Sequence, residues 1–131
     1  MLVDTNIFLE VFLDQQRGAD CLNFLEKLDA GEIQGFVTDF TLHGLAVVLE
    51  REGQGDSLPQ LFSSLSAFRG LTLLSASLVE HSEIASLGLQ VGLDFDDAYQ
   101  AYFARRMNVP VVSYDRHFDG VGDRREPADY L

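Results

Sequence analysis

The chain has 131 residues, of which 21 are Asp or Glu and nine are Lys or Arg, so its formal net charge is −12. This length suits a single domain, placed over residues 1–131, and the 47% hydrophobic content excludes a disordered chain despite the charge. No apolar run approaches the roughly 20 residues of a membrane-spanning helix, no basic secretory start is present, and the single cysteine, Cys21, allows neither an internal disulfide nor a multi-cysteine zinc site, so we expect a cytoplasmic protein without a membrane partner.

Strand and helix patterns alternate in the N-terminal half. Residues 1–3 are a short apolar run that stops at Asp4, which predicts a buried strand. Two segments with helical spacing of apolar residues follow, and Gly31 is expected to end the second one. A second strand is predicted at residues 35–38, and its last residue or the next one is expected to cap the helix that follows.

The alternation continues through the C-terminal half. Ser57 is expected to cap the next helix. The remaining predicted elements are a strand at 70–74, helices over 77–90 and 94–106, and a strand at 109–113. The stretch 120–125, rich in glycine and charge, is expected to be an exposed loop. Such alternation favours an α/β domain built around a parallel sheet.

Acidic residues follow two of the predicted strands. Asp4 and Asp115 lie at carboxyl ends, where parallel sheets place their functional residues. Asp97 lies in the first turn of a helix, on the edge of the face expected to cover the sheet. Each acid alone also fits a structural role as a helix cap, a first-turn charge or a turn residue. Together, however, converging carboxylates repel one another unless a cation bridges them, and oxygen ligands favour Mg²⁺ or Mn²⁺.

A carboxylate cluster of this kind suits phosphodiester hydrolysis. A bound cation lowers the pKa of a water and neutralises the charge that builds on the phosphate. A net charge of −12 repels nucleic acids, so an RNA partner would require that cation or a local basic surface. His117 is a candidate for substrate contact, or a solvated turn residue. The arginines that could guide RNA, or form surface salt bridges instead, are Arg105, Arg106, Arg116, Arg124 and Arg125.

Three motifs resemble those of PIN domains, the fold of VapC-type toxin ribonucleases. Residues 2–8 read LVDTNIF and resemble the opening motif of the family. Asp97-Ala98 resembles its third acidic position, and residues 111–118, VVSYDRHF, resemble its late strand-plus-acid motif. The resemblance implies a three-layer α/β/α sandwich around a central parallel sheet of four or five strands.

The resemblance also implies an activity and partners. Proteins of this kind cleave single-stranded RNA with a divalent cation, here Mg²⁺ or Mn²⁺. By position, Asp4, Asp97 and Asp115 would be catalytic metal ligands, and Asn6 and Ser113 would orient the first carboxylate or the attacking water. VapC-like proteins form dimers and accept a segment of an antitoxin, so a homodimer and an antitoxin partner are implied as well.

One position departs from the PIN pattern. PIN nucleases usually place a glutamate early in the helix after the second strand, and here that position falls on Gly44. Asp39 or His43 could approach the site instead, whereas Glu50 lies about 240° around the helix. Gly44 motivates an alternative, a PIN-fold module that binds RNA or a protein partner without cleavage. An acidic receiver domain is a further alternative, which the lack of a lysine after the last buried strand disfavours.

Overall fold

Five parallel strands form the centre of the computed structural model, which describes all 131 residues. The strands are β1 (Leu2–Val3), β2 (Gly35–Thr38), β3 (Leu71–Leu74), β4 (Val111–Val112) and β5 (Arg124–Arg125). They lie in the order β3-β2-β1-β4-β5, and every neighbouring pair is parallel. The prediction of a parallel sheet of four or five strands is therefore confirmed, with five.

Strand β5 is the element that the sequence did not predict. It occupies the last two residues of the stretch 120–125 expected to be an exposed loop, so that expectation was wrong for Arg124 and Arg125. The backbone N–H of Val111 donates to the Asp123 carbonyl at 2.9 Å, and that of Ser113 donates to the Arg125 carbonyl at 3.0 Å. Because the strand consists of two arginines, it has no apolar alternation from which pairing can be predicted.

Six α-helices connect and cover the strands. They are α1 (Thr5–Phe12), α2 (Gly18–Ala30), α3 (Asp39–Arg51), α4 (Leu58–Ser66), α5 (Leu78–Val91) and α6 (Phe95–Met107). Gly31 ends α2 with a φ of 73°, a left-handed conformation that favours glycine. Thr38 caps α3 through its Oγ1, which accepts the Thr41 N–H at 3.1 Å. Ser57 is the N-cap residue of α4, as predicted, but a 3-10 turn over Gly55–Ser57 leads into the helix and the serine side chain makes no capping bond.

Alternate residues of the strands bury two separate apolar clusters, one on each face of the sheet. Val3, Val37 and Val112 pack on one face with apolar residues of α1, α2, α3 and α4. Leu2 and Val111 pack on the opposite face with residues of α5 and α6. This alternation follows from the twofold side-chain period of a strand. The fold is the predicted three-layer α/β/α sandwich.

The topology places the ends of the central strands next to the start of a helix. β1 and β4 are adjacent and parallel, so the residues that follow them, Asp4 and Ser113, emerge at the same edge. The backbone N–H of Asp4 donates to the Val112 carbonyl at 3.0 Å, which fixes this register.

Among the helices, none is both long and apolar enough to cross a membrane.

Candidate metal centre

The Asp4 carboxylate is held by hydrogen-bond donors from four residues. Asp4 follows β1 and caps α1, where its Oδ1 accepts the Thr5 N–H at 2.8 Å. The same oxygen accepts from Gln100 Nε2 at 3.4 Å. Oδ2 accepts from Asn6 Nδ2 at 3.0 Å and from Ser113 Oγ at 2.6 Å. Two donors on each oxygen fix the orientation of this carboxylate.

Ser113 joins the ends of the two central strands. It is fully buried directly after β4. Its hydroxyl donates to Asp4 and accepts from Asn6 Nδ2 at 3.0 Å and from the Asp115 N–H at 2.9 Å. The structure therefore brings together the two residues predicted as supporting, Asn6 and Ser113, and places both against Asp4.

The other two predicted acids, Asp97 and Asp115, lie together with the exposed side chain of His117, on what is here the open side of the centre. Asp97 lies in the first turn of α6, and Asp115 caps the short 3-10 turn Arg116–Phe118. His117 Nδ1 lies 3.1 Å from Asp97 Oδ2 and 3.4 Å from Asp115 Oδ1. One potential ligand atom of each of these three residues lies within 4.8 Å of the other two. Asp4 is not part of this group of three, but Ser113 links it to Asp115 by hydrogen bonds.

Burial and repulsion from neighbouring carboxylates make Asp4 and Asp97 costly to ionise. Burial raises the pKa of Asp4, hydrogen bonds from its neighbours oppose that rise, and the negative charges of Asp97 and Asp115 add to it. Burial also raises the pKa of Asp97, against the hydrogen bond from His117 and together with repulsion from Asp115. A divalent cation would relieve both effects. The donor set of carboxylate oxygens fits Mg²⁺ or Mn²⁺.

A buried amide that sequence reasoning missed connects the centre to α3. Gln100 is only 3% exposed, and its Nε2 donates to Thr41 Oγ1 as well as to Asp4. Its Oε1 accepts from the Thr38 hydroxyl at 3.2 Å. A signal was present, because Gln100 lies three residues after Asp97 and so on the same side of α6.

Gly44 leaves open space at the position where a carboxylate was expected. A Cβ built there would lie 4.0 Å from both Cγ2 and Oγ1 of Thr5, an ordinary van der Waals distance. None of the proposed substitutes joins the centre. Asp39 accepts a hydrogen bond from the Tyr99 hydroxyl at 2.7 Å, His43 is exposed, and Glu50 lies exposed near the other end of α3.

Most of the arginines considered for RNA binding are engaged within the protein. Arg106 pairs with Glu80, and Arg125 with Asp123. The remaining engaged side chains are Arg105, which donates to the Val121 carbonyl, and Arg124, which pairs with Asp119 and Glu126. Arg116 is exposed and makes no side-chain hydrogen bond or ion pair. It is next to Asp115 in sequence, and so beside the acidic centre.

The fold and this centre together define a three-layer α/β/α protein with an acidic site at the carboxyl ends of its parallel strands. The family model of the PIN domain matches residues 1–124. The chain therefore belongs to the PIN domain family, as its motifs predicted. A comparison with curated protein sequences gave no match.

Several solved structures share the fold at low sequence identity. VapC20 of Mycobacterium tuberculosis, described as a toxin that cleaves the sarcin-ricin loop, has a TM-score of 0.77 and 11% identity, with 93% of this chain and 95% of that one covered. A toxin–antitoxin complex from Klebsiella pneumoniae has a TM-score of 0.70 and 19% identity, with 96% of each chain covered. VapBC2 of Rickettsia felis, bound to a promoter DNA fragment, has a TM-score of 0.64 and 18% identity, with 95% of this chain and 96% of that one covered.

Proposed function

We propose that this protein is a ribonuclease dependent on Mg²⁺ or Mn²⁺, of the VapC toxin type, that hydrolyses phosphodiester bonds within single-stranded RNA. The observation that carries the proposal is the group of Asp97, Asp115 and His117, whose potential ligand atoms lie within 4.8 Å of one another, with Asp4 linked to Asp115 through Ser113. Membership of the PIN family and similarity to toxin structures support it. A cation bound by these carboxylates would activate a water and offset charge on the scissile phosphate.

Residues around the proposed cation site have separate roles in orienting the carboxylates and in binding substrate. Ser113 and Asn6 hold the Asp4 carboxylate in one orientation, which preorganises its oxygens for a cation or for a proton from water. Asp97 and Asp115 face the solvent side, where substrate would enter. Arg116 offers a guanidinium to a flanking phosphate, for which its planar donors are well suited.

The negative net charge of the protein opposes RNA binding. With a net charge of −12 and four of the five C-terminal arginines already engaged, the protein offers little free positive charge to a phosphate backbone. RNA binding is therefore expected to depend on the divalent cation. Chelation should weaken binding as well as abolish cleavage.

The test is cleavage of mixed single-stranded RNAs by the purified protein in Mg²⁺, Mn²⁺ or EDTA. Cleavage should require the cation, and Asp4→Asn should abolish it, because the exchange removes a carboxylate charge from the centre. Asp14→Asn is the matched control, since Asp14 is exposed and its φ of 50° suits asparagine. If Asp4→Asn retains cation-dependent cleavage while Asp14→Asn behaves identically, the site assignment is wrong.

A second candidate function is a PIN-fold module that binds RNA or a protein without cutting. Gly44 is the observation that favours it, because the open space there replaces a carboxylate usual in PIN nucleases. Calorimetric titration with Mn²⁺ separates the two functions. A nuclease must bind the ion at the acidic centre, whereas a binding module need not.

We further propose an antitoxin partner and a homodimer, on the strength of the toxin–antitoxin complexes among the similar structures. An open groove of about 450 Å³, lined by Phe12, Leu22 and Leu61 of three helices and by Phe68 just after α4, offers an apolar surface that a partner segment could cover. A small neighbouring reading frame that encodes a DNA-binding protein would support this proposal. Co-expression should then yield a complex in which RNA cleavage is suppressed.

A further inference from the structure

His117 occupies a position that its sequence context alone does not explain. Its backbone N–H is held by Asp115 Oδ1 at 2.8 Å, which directs the ring back over the acidic centre. One ring nitrogen, Nδ1, then lies between the facing carboxylate oxygens of Asp97 and Asp115, at 3.1 and 3.4 Å. The side chain is otherwise 71% exposed, so no packing requirement holds it there.

These distances match the edges of a coordination octahedron. Ligand atoms on adjacent corners around an octahedral cation, with bonds of about 2.1 Å, lie about 3 Å apart. His117 Nδ1 is already close to that spacing from each of the two carboxylate oxygens, and the ligand atoms of Asp97 and Asp115 lie within 4.8 Å of each other. A cation could therefore be bound by all three with small side-chain movements.

From this geometry we infer that His117 is a direct nitrogen ligand of the catalytic cation, alongside Asp97 and Asp115. The inference rests on the proposed metal-dependent function and adds a donor to it. A site with Gly44 in place of a carboxylate has one oxygen donor fewer, and the imidazole of His117 supplies an additional ligand. Imidazole suits Mn²⁺ and its heavier neighbours better than Mg²⁺, so the site should prefer Mn²⁺.

A competing explanation uses the same distances. A protonated His117 could serve only as a counter-ion for Asp97 and Asp115, and a cation would then have to displace it. The two explanations predict opposite effects of removing the ring. Loss of a ligand weakens Mn²⁺ binding, whereas loss of a competing positive charge strengthens it.

The experiment measures Mn²⁺ binding to the full chain, free of any histidine tag, by electron paramagnetic resonance. Pulsed measurements on bound Mn²⁺ should show coupling to an imidazole ¹⁴N in the wild type, and His117→Gln should remove it. His117→Gln should also weaken Mn²⁺ binding by about tenfold or more, in line with losses seen at metal sites. His43→Gln is the matched control, because His43 is exposed on α3 and should leave both measurements unchanged.

A third variant separates ligation from general charge effects. His117→Asp offers an oxygen ligand at the same position, so it should recover part of the Mn²⁺ affinity, lose the ¹⁴N coupling and shift preference toward Mg²⁺. Bound Mn²⁺ without ¹⁴N coupling, or tighter binding in His117→Gln, would overturn the inference while leaving the proposed nuclease intact. A wild type that neither binds Mn²⁺ nor cleaves RNA would overturn both.

Discussion

The acidic centre has two sides that differ in how their carboxylates are satisfied. On the β1 side, Asp4 accepts four hydrogen bonds from uncharged donors and lies within a buried network. On the open side, Asp97 and Asp115 face each other across His117. The first side is preorganised without a cation, whereas the second depends on positive charge. The difference separates a carboxylate whose orientation is fixed by hydrogen bonds from two carboxylates that a bound cation would stabilise.

Substitutions on the two sides of the centre should therefore have different effects. Disturbing the buried network should alter how the Asp4 carboxylate is aimed, and so the rate of the reaction. Disturbing the open side should alter how tightly the cation is held. Measuring kcat and Mn²⁺ affinity together therefore tests whether the two sides are distinct.

Among the residues that surround the predicted ligands, the largest effect is expected at Gln100, on the buried side. Gln100→Leu removes the amide that donates to Asp4 and leaves the Thr38 and Thr41 hydroxyls with one partner fewer. Loss of such a supporting partner is expected to lower kcat by about 10- to 100-fold, with little change in KM. The unsatisfied groups should also reduce the free energy of unfolding by about 1–3 kcal/mol.

Kinetics below the unfolding transition distinguish positioning from simple destabilisation. Gln90→Leu, at an exposed position of α5, is the matched control and should leave kcat unchanged. If Gln100→Leu lowers stability but retains the wild-type kcat, then Gln100 supports the fold and does not position Asp4.

An intermediate effect is expected at Gly44, beside Thr5. Gly44→Glu should tighten Mn²⁺ binding by about tenfold, because the open space beside Thr5 accepts a side chain and a further carboxylate would approach the cation. Gly44→Ala is the control. It should leave the Mn²⁺ affinity unchanged while stabilising the helix interior by about 0.5–1 kcal/mol. Calorimetric titration and thermal unfolding measure the two effects, and equal Mn²⁺ affinities in both variants would show that position 44 does not face the cation.

The sequence predicted those parts of the centre that depend on local signals. Short apolar runs that end at an acid predicted where Asp4 and Asp115 emerge, and parallel connections then required a common edge. Strand β5 could not be predicted, because its pairing depends on backbone contacts with β4 made by two charged residues. Gln100 was missed since a single polar residue in an apolar helix acquires its role only when α3 and β1 meet it in three dimensions.

The Gly44 position illustrates a different limit of sequence reasoning. The motif located the missing carboxylate, but it could not show whether another side chain fills the space. In the structure Asp39 accepts a hydrogen bond from the Tyr99 hydroxyl, and no other side chain fills the space beside Gly44. Whether the centre remains catalytic then depends on the other donors, which the sequence does not place relative to one another.

The smallest effect is expected on the stability of the cation-free protein. Folding raises the pKa of Asp97 through burial and repulsion from Asp115, so this carboxyl contributes stability that is present below its ordinary pKa and lost as the pH rises through the raised value.

In EDTA at pH 7, Asp97→Asn should therefore raise Tm by a few degrees, and the gain should shrink as the pH falls toward about 4. Asp96→Asn, which removes the same charge from the same exposed helix turn, should give no such gain. Saturating Mn²⁺ should instead place the Tm of Asp97→Asn below those of the wild type and Asp96→Asn, because the variant loses a proposed ligand and gains less binding energy on folding. A Tm for Asp97→Asn below that of Asp96→Asn at pH 7 in EDTA would contradict the view that the open side is held together by its cation.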